Sequence, residues 1–220
     1  MADYPFKVVV DYWPQFLGGL VVTLQVSALA LVLSLVLGGA LGVMRVAPVV
    51  SLRRVSGGYV EFFRNIPPLI HLFFIFFALP RAGVVLSPFV SGVVGLTVYH
   101  AAFVAEILRA GINAVGRQQL EGARALGLSY GRAMRYVVLP QAGALVLPPL
   151  GNLFVSLIKT SSLVAAISTP DLMFQAEVLN EQTYRTFEVF TFAGLAYLAL
   201  TYTLGTVLHR LESRLARRTA

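Results

Sequence analysis

The chain has 220 residues, 57% of them hydrophobic and 12% charged, with a mean hydropathy of +0.78 and a formal net charge of +7. A water-soluble domain has about a quarter of its residues charged, so the composition excludes an ordinary soluble protein and leaves room for about five or six spans of ~20 residues. Cysteine is absent, which excludes disulfides, thiol catalysis and cysteine-ligated metal.

Residues 1–15 lack the basic-then-apolar order of a cleavable signal and carry Asp3 and Asp11, so they read as a retained extracytoplasmic segment. A first span runs from about Phe16 to Met44, with Tyr12 and Trp13 placed as interfacial anchors. The second covers about Val60 to Leu79 and is bent early by Pro67-Pro68; the third covers about Pro88 to Leu108. A fourth begins near Pro140 and reaches Ile158, interrupted by Pro148-Pro149 and Gly151. Lys159 to Arg185, part polar and part apolar (Leu163 to Ile167), reads as a loop with a short re-entrant or interfacial helix, and a fifth span covers about Phe187 to Leu208. The expected fold is therefore an all-α integral membrane protein with five transmembrane helices over 16–208 and a basic tail over 209–220.

Basic residues set the expected orientation. Alternate connecting segments hold thirteen of the Lys and Arg residues against four in the others, which puts the N-terminus outside and the C-terminus in the cytoplasm. The charge thus serves topology and anionic lipid head groups; no basic stretch is interleaved with aromatics, so nucleic acid is not an expected partner.

Between spans three and four, in the loop of about 113–139, lies a hydrophilic segment with helix signals. Leu120, Ala123 and Leu126 recur at three-residue spacing and share a face. Glu121 is expected in the first turn, Gly127 is placed to stop the helix, and Ser129 can cap a second one through Arg132 and Arg135. The small apolar face suits either a groove on another protein or packing against its own bundle.

Three polar constellations border the membrane. Glu61 and Arg64 stand three residues apart and read as an ion pair anchoring the helix. Tyr99 and Glu106 share a face of span three with His100 offset by about 100°; Glu106 can pair with Arg109, whereas Tyr99 and His100 are candidates to line a path. At the end of span four, Lys159, Thr160, Ser161 and Ser162 read as a polar helix break able to hold a small zwitterion, with Asn152 on the same face as Lys159. No clustered acid, base or metal set is visible, so no catalytic or metal-binding residues are assigned. With two lysines, Lys7 after Phe6 and Lys159 after Ile158, the chain lacks the Gly-Lys-Ser/Thr of a P-loop.

Glu121-Gly122-Ala123, Leu126-Gly127 and Leu139-Pro140-Gln141-Ala142 resemble the cytoplasmic coupling loop of ABC importer permeases, with Gly122 where alanine is usual. Thr23 to Ala30, the Y-V-E-F-F-R-N-I-P-P-L-I run (where a glutamine commonly follows at the position of His71), Ala105 to Ile112, the Lys159 to Leu163 stretch and F-E-V-F-T at Phe187 resemble the polar-amino-acid group of that family. The resemblance implies a bacterial inner-membrane permease subunit that dimerises with itself or a paralogue and rests on two ATPase subunits. Those subunits would carry the ATP and magnesium, and an extracytoplasmic binding protein would deliver the amino acid. Leu120, Glu121, Gly122, Ala123, Leu126 and Gly127 would then be the ATPase-coupling residues. The F-F-R-N-I-P stretch and the chain end lean towards glutamate or aspartate. An ion-coupled secondary transporter and a membrane scaffold or enzyme are the competing readings.

Overall fold

The computed structural model describes residues 6–219, with side chains described as far as Arg210; Asp3 and the side chains of Arg214, Arg217 and Arg218 lie outside the described residues. A short helix α1 (Lys7–Asp11) leads into the 34-residue α2 (Trp13–Val46), and α3 (Val50–Asn65) follows after a brief turn. Next comes α4 (Pro68–Phe73), which loosens into a π-helical turn at Phe74–Ala78 and tightens into a 3₁₀ turn at Leu79–Ala82. The long α5 (Pro88–Ala114) is capped by Ser87, whose Oγ accepts from the N–H of Val90 at 3.3 Å. Two short helices, α6 (Arg117–Ala125) and α7 (Tyr130–Ala133), lead through a π turn into α8 (Leu139–Ser161). A 3₁₀ segment at Ser162–Ile167, α9 (Leu172–Thr183) and α10 (Thr186–Thr219) complete the chain.

Among the described residues, four helices are long and apolar enough to cross a membrane, and a fifth crossing exists if the bent pair α3 with Pro68–Ala82 is one span. That pair turns through 103°. Pro67 and Pro68 cause the turn, because proline disfavours a helical conformation in the residue before it and supplies no N–H to the preceding carbonyls. Taken as one span, the pair starts ten residues earlier than hydropathy suggests, in an amphipathic stretch where Arg53, Arg54 and two serines mask the helix. The fourth span also differs from expectation: α8 runs through Pro148 and Pro149 as one helix. Membrane helices tolerate proline because neighbouring groups satisfy the freed carbonyls. Between spans four and five, inside the expected loop, lie the 3₁₀ segment Ser162–Ile167 and the longer helix α9.

Helix α2 is the spine. Its buried residues include Gly19, Thr23, Ser27, Ala30, Ser34, Gly38 and Gly42, a stripe of small side chains at three- and four-residue spacing. Helices in lipid gain nothing from hiding apolar surface from lipid, so close van der Waals packing between small residues holds them together. The approach is tight: a Cβ added at Gly38 would lie 2.5 Å from the Cβ of Val104 and 2.6 Å from the carbonyl oxygen of Ala101 on α5. Three apolar clusters lie along this spine. The first gathers Phe16, Leu172, Leu179 and Val189; the second Val26, Ala30, Leu72, Leu96 and Leu157; the third Leu41, Val60, Ala101 and Ala105.

Near the N-terminal end of α2, the fully buried Asp171 ties three helices together. Its carboxylate caps α9 by accepting from the N–H of Phe174 at 3.0 Å, and it accepts from the Tyr197 hydroxyl of α10 at 3.0 Å and from the Thr23 hydroxyl of α2 at 3.5 Å. Thr23 Oγ1 in turn accepts from the N–H of Leu172 at 3.1 Å.

The packing at Gly38 is testable. Gly38→Leu should destabilise the detergent-purified protein by about 1–3 kcal/mol through overpacking, whereas Gly39→Leu, where an added Cβ meets nothing within 4 Å, should leave thermal unfolding nearly unchanged. Equal melting temperatures for the two variants would refute the close contact.

Candidate functional site: the α6 knuckle and the polar faces of α5 and α8

Helix α6 starts four residues before Glu121, because Gly116 takes φ +80° and turns the chain out of α5. Glu121 consequently lies in the middle of the helix and contributes no first-turn charge. The helix ends as the sequence suggests. Gly127 sits at φ +87°, its N–H donates to the Arg124 carbonyl at 2.9 Å, and the N–H of Leu128 donates to the Ala123 carbonyl at 3.2 Å. These paired bonds are the glycine-stopped helix end in which a left-handed residue satisfies the last carbonyls. Ser129 precedes α7 at the capping position, yet its side chain makes no capping hydrogen bond.

The predicted apolar face is divided between two directions. Ala123 is 6% exposed and packs inward against the bundle, Leu120 is half-buried, and Leu126 is 86% exposed. Leu126 lies past the last helical residue, its N–H still donating to the Gly122 carbonyl at 3.2 Å, and the chain leaves the helix at Gly127 without covering it. Glu121 and Gly122 are exposed with it. The outward surface of the knuckle is therefore Glu121, Gly122 and Leu126, and Ala123 acts as an internal spacer.

Glu106 and Arg109 pair as expected: Arg109 Nε donates to Glu106 Oε2 at 3.0 Å, and Arg109 Nη2 donates to Oε1. Arg45, from the C-terminal turn of α2, completes the cluster by donating from Nη2 to Oε2 at 3.1 Å. This partner is 61 residues away in the chain, and local spacing carries no signal for it. Glu61 and Arg64 do not form the expected pair. The Arg64 guanidinium instead lies 5.0 Å from the ring centroid of Phe103, where the negative face of the ring attracts it.

On α5, His100 is 1% exposed, with Nδ1 2.9 Å from the Leu96 carbonyl, so it belongs to the core and lines no open path in this structure. Tyr99 is half-buried and stacks against Phe103 and His71, with ring centroids 5.0 and 5.8 Å apart. His71 has both ring nitrogens buried without a hydrogen-bond partner, and it borders an apolar cavity of about 350 Å³ between α3, α4 and α5. A histidine in an otherwise apolar run was the available signal for it.

The polar stretch closing α8 is not a break. The helix continues to Ser161 and passes directly into the 3₁₀ segment. Thr160, Ser161 and Ser162 each donate their hydroxyl to a carbonyl of the preceding turn, at 2.9, 2.7 and 2.8 Å. Their lone pairs remain, but the fully buried Ser161 is internal. The groups presented outward are Asn152 and Lys159, seven residues apart and both exposed on one face of α8. A lysine and an amide facing hydrocarbon are costly, and such groups face a cavity or a partner.

A bundle of broken and continuous spans, with a glycine-stopped helical knuckle between the third and fourth, defines a multi-pass membrane transport subunit. The sequence from residue 30 to 220 matches the family model described as binding-protein-dependent transport system inner membrane component, and the chain belongs to that family. Within it, the chain is an amino-acid ABC transporter permease of the inner membrane. It is 42% identical over 211 residues to the probable glutamine ABC transporter permease protein GlnM of Bacillus subtilis (strain 168), covering 96% of this chain and 98% of that protein. It is 37% identical to the probable glutamine ABC transporter permease protein GlnP of the same organism, with 89% and 91% covered. The crystal structure of an amino acid ABC transporter with histidines superposes with a TM-score of 0.91 at 36% identity, covering 97% of this chain and all of that one.

The left-handed stop at Gly127 carries a measurable requirement. Gly127→Val should cost about 1–2 kcal/mol locally, since a branched residue at this φ clashes with its own carbonyl. Protease cleavage around residues 116–130 should quicken while the melting temperature of the bundle holds. An unchanged cleavage rate would mean that the turn does not need glycine.

Proposed function

We propose that two copies of this subunit, or one copy with a paralogue, form a translocation path for a polar amino acid, and that glutamine is the substrate. The observation that carries the substrate is the near full-length match to two permeases named for glutamine. The names of these relatives lend no support to a lean towards glutamate or aspartate. Exposed Asn152 and Lys159 on α8 support a path between subunits, because a second chain would remove them from lipid and leave them facing water or ligand. Glutamine carries an amide, a carboxylate and an ammonium. The Asn152 amide and the lone pairs of Thr160 and Ser162 can meet the amide and the ammonium, and Lys159 the carboxylate.

The driving energy belongs to partners. The chain carries no P-loop, so ATP and magnesium would be held by two ATPase subunits, with the amino acid delivered by an extracytoplasmic binding protein. The outward surface of α6 is the proposed seat for an ATPase: Leu126 would enter an apolar groove, with Glu121 beside it for a cation. The distribution of arginines supports a cytoplasmic position for this knuckle and for the C-terminus.

The test is reconstitution in vesicles with an ATPase and a binding protein. ATP-dependent uptake of labelled glutamine, out-competed by unlabelled glutamine and not by glutamate, is the expected result; saturable glutamate uptake with no glutamine uptake would refute the substrate. A second measurement addresses the seat. Leu126→Asp should leave the bundle folded and reduce co-purification of the ATPase by about tenfold or more, in line with loss of a buried anchor residue. Normal ATPase retention by this variant would move the interface elsewhere on the chain.

A further inference from the structure

Where α2 ends, four arginines line one cavity of about 480 Å³. Arg45 comes from the last turn of α2, Arg53 from the start of α3, Arg109 from the end of α5 and Arg117 from the first turn of α6. No carboxylate lines this cavity. Glu106, just outside it, is shared between Arg45 and Arg109, so four positive charges face one negative charge. The arginines are held in place. Arg53 Nη1 donates to the carbonyls of Ala47 and Pro48 at 2.8 and 3.1 Å, which fixes its head over the turn between α2 and α3. Arg45 Nε is buried and has no hydrogen-bond partner.

The remaining walls are mostly apolar, from Val46, Ile112, Leu120, Met134 and Val138, with Asn113 and Tyr130 the polar side chains among them. Chain neighbours of the lining residues add exposed apolar surface as a rim: Val43 is 67% exposed, Val49 and Val50 50% each, and Leu139 47%. A smaller anion in water would need the charges and not this rim. An arginine fork matches phosphate oxygens in bidentate geometry, and the apolar rim matches the start of an acyl chain. At the end of a span, the two sit at the depth where a headgroup phosphate lies. We infer that this cavity binds the phosphate of an anionic phospholipid from the leaflet on the α6 side. The lipid would bridge the ends of α2 and α5 to the first turn of α6, across the Gly116 hinge. This assignment is independent of which amino acid the transporter carries.

The experiment uses the assembled transporter, delipidated in detergent and titrated with phosphatidylglycerol or phosphatidylcholine while bound lipid is counted by native mass spectrometry. Phosphatidylglycerol should bind at least about tenfold more tightly than phosphatidylcholine, and Arg53→Gln with Arg117→Gln should weaken it by about 30-fold, the loss expected for two charges near a headgroup. Arg53→Lys with Arg117→Lys should keep most of the preference. Loss of binding in the lysine variant as well would show that the substitutions act on folding, and overturns the proposal. Phosphatidylglycerol affinity equal in the wild type and the glutamine variant overturns it too. Displacement of the lipid by inorganic phosphate at its own micromolar affinity would assign the cavity to a free anion. Loss of the ATPase subunit with lipid binding intact would assign it to protein docking.

Discussion

The close approach of α2 to α5 is the constraint on which the rest of the molecule depends. In lipid, two helices separate as readily as they meet unless their backbones come near enough for many weak contacts to add up. From Ser34 to Gly42 the small-residue stripe supplies that nearness to α5, while its first residues, Gly19 and Thr23, lie against α9. Because α2 is so long, its position fixes three successive apolar clusters, which place α9 and α10 at one end, α4 and α8 in the middle, and α3 at the other. Larger residues anywhere along the stripe would move all of them.

Polar chemistry is concentrated at the two ends of this spine. Asp171, bound by Thr23, Tyr197 and the N–H of Phe174, ties α2, α9 and α10 together. At the far end, Glu106 holds Arg45 and Arg109, and with them the ends of α2 and α5. Both carboxylates are fully engaged, as groups withdrawn from water must be if they are not to cost several kcal/mol each. Between these nodes the bundle is held mainly by shape, helped by the Ser34 hydroxyl of α2 donating to the Thr97 carbonyl of α5 at 3.3 Å. Helix α8 differs, because its exposed polar groups have no partner within the subunit's own bundle.

Much of this was legible in the sequence wherever a signal is local. Apolar runs gave the spans, Gly127 gave the end of α6, and three-residue spacing gave the Glu106–Arg109 pair. What remained hidden depended on distance or direction. Arg45 meets Glu106 only because α2 and α5 pack side by side. Residues 50–59 read as a loop because Arg53, Arg54, Ser51 and Ser56 dilute an amphipathic helix. The Pro148-Pro149 pair looked like a break because sequence cannot show what satisfies the freed carbonyls. Ala123 and Leu126 belong to one stripe on paper, yet the helix stops at Gly127 and only Ala123 is covered. The hydroxyls after Lys159 resembled open ligands, but a helix that continues gives them its own carbonyls.

A leucine 86% exposed at the end of α6 has a consequence for the life of the subunit before assembly. A membrane protein hides most of its apolar surface in lipid, but Leu126 ends the polar helix α6, outside the candidate spans, and nothing among the described residues covers it. With an ATPase seated on α6 as proposed, an unassembled copy would present a mark that an assembled one lacks, in reach of the chaperones and proteases that survey apolar side chains in water. One side chain could in this way keep the number of permeases matched to the number of their partners, with surplus copies removed before they reach a working complex.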